Sequence, residues 1–87
     1  MKGGLPPGSI PTLKQFLLRS EVLKLYRQFI RTVKEVSDSA QRKEFENWIR
    51  HDFRRNKHIT DEESIRMMIT RGRMSLKELE TTVEMAK

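Results

Sequence analysis

The sequence predicts an all-α fold, an antiparallel up-down-up three-helix bundle with a flexible N-terminal arm. Three observations predict it. All three prolines and three of the four glycines fall before Thr12, so Gly72 alone interrupts an otherwise helix-compatible chain. Downstream apolar residues recur at spacings of three and four, the helical period, and no stretch alternates as a strand does. Two polar stretches, Ser37-Asp38-Ser39 and Asn56-Lys57-His58-Ile59, divide the remainder into three segments. Turns this short join antiparallel neighbours.

Residues 1–11, with Gly3-Gly4, Pro6-Pro7, Gly8 and Pro11, read as the arm, and residues 12–87 as one helical domain. Thr12 followed by Gln15 has the form of a capping box and opens a helix predicted over about Leu13 to Val36. On a helical wheel Phe16, Val22, Leu23, Leu25, Tyr26, Phe29, Ile30 and Val33 fill a face roughly 180° wide. So broad a face implies two packing partners. Ser37-Asp38-Ser39 offers caps for a second helix, about Ala40 to Arg55, with Phe45, Trp48, Ile49 and Phe53 on its inner face. Thr60 with Glu63 makes another capping box, and Asp61, Glu62 and Glu63 complement the dipole of a third helix running to about Met85. Its apolar face is Ile65, Met68, Ile69, Gly72, Leu76, Leu79, Val83 and Ala86.

Composition bounds the function. Leu, Ile, Val and Phe make up about a quarter of the 87 residues, enough for one small core and too little for two domains. With no cysteine there is no disulfide scaffold, thiolate zinc site, iron–sulfur ligand set or cysteine nucleophile. His51 and His58 are too few for a metal cage and lack a partnered nucleophile, so no catalytic residue and no resident metal are expected. No apolar run exceeds Phe16-Leu17-Leu18, far short of a membrane span. The net charge of +6 is concentrated before His58, while the last third carries six acids against five bases. An acidic partner, whether nucleic acid, anionic membrane or acidic protein, is the simplest reading of that bias. The first acid is Glu21, which is compatible with mitochondrial import.

Two placements run against a plain bundle. Gly72 sits mid-face on the third helix, where it costs roughly 1 kcal/mol relative to Ala. The missing side chain serves either close helix approach or a channel for a slender apolar ligand, which Met67, Met68 and Met74 would suit as an adaptable lining. Arg19 projects into the apolar arc of the first helix near its amino end, where a charge must snorkel or meet an anion. Arg50, Arg54, Arg55 and Lys57 gather toward the end of the second helix, and antiparallel packing brings that end beside Arg19. The predicted result is one basic patch.

Leu25-Tyr26-Arg27 on the first helix, with Phe53-Arg54-Arg55-Asn56-Lys57 closing the second, resembles the LYR-motif family of small mitochondrial matrix proteins. The motif residues are Leu25, Tyr26, Arg27 and Phe53. The resemblance implies an assembly factor or adaptor and not an enzyme. It implies binding to the mitochondrial acyl carrier protein, whose acyl-4'-phosphopantetheine arm enters the helical core, and no cofactor of the chain's own. Carried over by position, Arg19, Arg54 and Lys57, with Arg50, would meet acidic residues and the phosphate of the carrier. The helical wheel projects Phe29, Ile30, Ile49, Met68, Ile69 and Gly72 along the acyl chain. The resemblance further implies docking by the iron–sulfur cochaperone and a role with respiratory complex I subunits or assembly intermediates in the matrix. Two readings from other classes stand beside it: a small basic nucleic-acid-binding bundle and a permanent structural subunit of a large complex.

Overall fold

Thr12 closes the amino end of α1 (Leu13–Val33) with a reciprocal box. Its hydroxyl accepts from the Gln15 N–H at 3.1 Å, and the Gln15 Oε1 accepts from the Thr12 N–H at 3.0 Å. The computed structural model describes residues 12–86, so the predicted arm lies outside the described residues. α1 ends three residues earlier than the sequence predicts. The N–H groups of Glu35 and Val36 bond back three residues, to Thr32 and Val33, which tightens the last turn out of α-geometry. The Val36 carbonyl is then taken by the Arg42 guanidinium at 3.0 Å, which fixes the chain reversal.

Asp38 caps α2 (Ser39–Asn56), accepting from the N–H groups of Ala40 and Gln41. α3 (Glu62–Met85) is capped by Asp61, not by the predicted Thr60 box. Asp61 accepts from both the hydroxyl and the N–H of Ser64, and these bonds, the hydroxyl's first, hold its carboxyl below its ordinary pKa. A depressed carboxyl pKa means the cap is intact above the usual carboxylate range and is lost as pH falls through the lowered value.

The helices run up, down and up, with α1 in the middle as its broad apolar face requires. Both neighbours pack on α1, but no Cα of α2 comes within 8 Å of one of α3. Leu25, Phe29, Val33, Ile49 and Leu76 form the core, flanked by Tyr26, Ile30, Phe45, Phe53 and Leu79. Parallel α1 and α3 are clipped at their starts, where Gln15 donates to the Thr60 carbonyl at 3.0 Å and the Thr12 hydroxyl to Glu62 at 3.4 Å. Glu21 continues the seam by pairing with Arg73 of α3 at 3.2 Å, and it also pairs with Lys24 one turn along α1 at 3.6 Å. Phe16, Leu23 and Trp48, expected on packing faces, are instead 64%, 49% and 60% exposed. Leu23 and Trp48 lie along the groove that the parted helices leave open among the described residues.

At Gly72 the approach of α3 to α1 is tight: an added Cβ would collide with the Cδ2 of Leu25. Close approach is therefore one of the roles of this glycine. Gly72→Leu should destabilise the chain by about 1–3 kcal/mol through overpacking. Gly72→Ala should cost less, because the roughly 1 kcal/mol helix preference of Ala offsets a displaced Leu25 methyl. Urea midpoints check both, and an unshifted midpoint for Gly72→Leu would show that the two helices have room to spare.

Candidate functional site

The tripeptide Leu25-Tyr26-Arg27 is divided among three directions by the helical step of about 100° per residue. Leu25, 5% exposed, faces α3 at Gly72. Tyr26 faces α2, where its ring meets Phe53 edge-on at 5.1 Å and 71°. Phe53 also stacks edge-on with Phe29 at 5.9 Å, so one aromatic side chain of α2 bridges two turns of α1. Arg27 is exposed.

Where α2 and α3 part, a groove of about 800 Å³ opens with walls from all three helices. That volume lies within the roughly 300–1,000 Å³ of small-molecule sites. Leu25, Phe29, Ile49, Phe53, Ile65 and Ile69 give it an apolar interior. Arg19, Arg50, Arg54 and Lys57 all line it, as do Met68 and Gly72. Of the residues projected onto the acyl chain, Ile30 alone does not line the groove. It lies just past Phe29, the last groove residue on α1, and packs against the core.

The charge at this site is lopsided. Six basic side chains line the groove, the four above with Arg55 and Arg71, against the single carboxylate of Asp52. Asp52 is already taken by Arg55 at 2.7 Å. Arg19, Arg50, Arg54, Lys57 and Arg71 make no ion pair among the described residues. Cations crowded around an apolar hollow without counter-ions raise the local potential and select an anionic partner. Sequence reasoning missed Arg71 and the groove roles of Val22, Leu23, Ile59 and Ser75. Arg71 precedes Gly72, and that adjacency was the one signal of it in the chain.

Among the described residues no group of three or more His, Asp or Glu is placed to hold a metal ion, and no helix is long and apolar enough to cross a membrane. A cation-rimmed apolar groove between parted helices describes a helical binding scaffold. The chain belongs to the LYR family: residues 20–78 match the family described as Complex 1 protein (LYR family). Within it the chain is similar to human LYR motif-containing protein 2, at 52% identity over 95% of this chain and 93% of that protein. The Xenopus tropicalis protein of that name is 48% identical over 100% of this chain and 99% of its own length, and that of Salmo salar is 45% identical over 92% and 89%. No solved structure matches the chain. Proteins of the family are generally mitochondrial, generally non-catalytic and generally act through protein partners.

Proposed function

We propose that this chain is a mitochondrial matrix adaptor that binds acylated acyl carrier protein, takes the acyl chain between its helices, and supports respiratory complex I assembly or activity. The observation that carries the reading is the groove: apolar within, and bordered by the unpaired Arg19, Arg54 and Lys57. A slender hydrocarbon on an anionic stem matches both halves of it. The acyl-4'-phosphopantetheine arm has that chemistry, its phosphodiester meeting the cations and its acyl end the apolar wall. The acidic surface of a carrier supplies the remaining counter-charge. Complex I as the client is supported by the family's description as a Complex 1 protein. Arg27, outside the groove, is left to a second reader, for which the iron–sulfur cochaperone is proposed.

A nucleic-acid surface sets its bases on a face that phosphates can approach in register. Here the bases instead border an apolar hollow, which favours the carrier. Native mass spectrometry of the chain co-expressed with an acyl carrier protein tests the proposal. A 1:1 complex bearing phosphopantetheine plus a fatty acyl mass is expected. A lone monomer of 10.4 kDa would overturn it.

A further inference from the structure

Independently of the carrier reading, we propose that the back of α1, the side turned away from the groove, docks on an anionic bilayer surface. At about 100° per residue, Leu13, Phe16, Leu17, Lys24, Arg27 and Arg31 fall on one side of α1, opposite Val22, Tyr26 and Phe29, which line the groove. All six are exposed, and none of them lines the groove. Leu13, Phe16 and Leu17 cluster at the amino end, 74%, 64% and 54% exposed. The three bases follow along the same side.

The charge on this helix is one-sided. No exposed residue of α1 is an acid: its one carboxylate, Glu21, is half-buried and paired with Arg73 and Lys24, and the next acid, Glu35, follows the end of the helix. By contrast α2 exposes Glu44, and α3 exposes Glu63, Glu78, Glu80 and Glu84. Large apolar residues beside bases, on a helix face free of acids, are the pattern of a helix that lies in a membrane interface. Leu13, Phe16 and Leu17 reach below the headgroups, while the longer basic side chains stay at the lipid phosphates. Leu13 and Arg31 are roughly 27 Å apart along the axis at about 1.5 Å per residue, and a flat anionic surface meets both ends of that line at once. A second copy does not. Laid parallel it sets base on base, and laid antiparallel it sets the bases on Leu13, Phe16 and Leu17. Docked by its back, the chain turns the groove away from the lipid, toward a partner in solution.

Flotation of the full chain with vesicles of phosphatidylcholine containing about 30% phosphatidylglycerol tests the proposal. Binding is expected on these vesicles, falling as salt is raised, and much weaker on phosphatidylcholine alone. Phe16→Ser with Leu17→Ser should weaken it about a hundredfold. Lys24→Gln and Arg31→Gln should each weaken it about fivefold. These four side chains lie outside the core, and circular dichroism checks that each variant keeps its helices. Bromine on the lipid acyl chains should leave Trp48, beside the groove, unquenched, and should quench the tryptophan of a Phe16→Trp, Trp48→Phe variant. Quenching of Trp48 in the unaltered chain would set the groove side on the lipid and overturn the orientation. Equal binding to neutral vesicles overturns the role of the bases. No binding to anionic vesicles overturns the proposal, and a dimer in solution that Leu17→Glu breaks would then give the face to a second copy. None of these outcomes bears on the carrier complex, whose detection is a separate measurement.

Discussion

Ile49→Ala is expected to destabilise the chain by about 2–5 kcal/mol, the range for a buried Ile cut to Ala. A loss of that size is most of the stability a domain this small commands. The reason is that α2 holds on by little. Ile49 is its one buried residue, 1% exposed, and Phe45 and Phe53 are only partly covered. No backbone approach to α3 shares the load. Losing the Ile49 side chain opens a cavity against Phe29 and Val33 and loosens the helix that carries Arg54 and Lys57. Urea denaturation followed by circular dichroism measures the change. A loss below about 1 kcal/mol would show that α2 is held by something other than its core contact.

Reversing charge at Arg54 and Lys57 together should weaken carrier binding about a hundredfold at low ionic strength, and much less at high salt. Two unpaired cations at the groove become two anions that face an acidic surface. Neither side chain makes an ion pair within the described chain, so its loss breaks no internal contact. Both lie near the carboxyl end of α2, where negative charge opposes the helix dipole by about 0.3–1 kcal/mol each. The Arg54→Gln, Lys57→Gln pair separates that effect from binding, since it removes charge without placing anions on the dipole. Titration of the carrier at two salt concentrations reads the result. Affinity unchanged by reversal would remove the cations from the interface.

The helices were legible because their punctuation is local. Thr12 with Gln15, and Asp38 after a polar turn, act through hydrogen bonds to the next few residues. The start of α3 was displaced by one position because Thr60 and Asp61 are both competent caps, and the Ser64 hydroxyl, reaching Asp61 in three dimensions, decides between them. The meeting of Arg19 with the end of α2 came from antiparallel order alone. Exposure did not, because a helical wheel assumes that an apolar face is covered. Leu23 and Trp48 are apolar and exposed along the groove since α2 and α3 stand apart, a fact of the third dimension that no spacing encodes. Ile30 shows the complementary limit: a wheel gives angle, whereas groove lining also depends on depth along the axis.

Leu25, Tyr26 and Arg27 are contiguous on paper but do not form one surface. Once α1 is packed, Leu25 is enclosed against Gly72 and Tyr26 is engaged with Phe53. A protein that grips all three as an extended peptide must do so before the helix docks, while the chain is nascent or newly delivered. A protein that meets the finished fold finds Leu25 closed off, Tyr26 half-buried in the groove wall and Arg27 alone fully exposed. The tripeptide thus presents two different epitopes at two stages of the molecule's life, and folding is the event that exchanges one for the other.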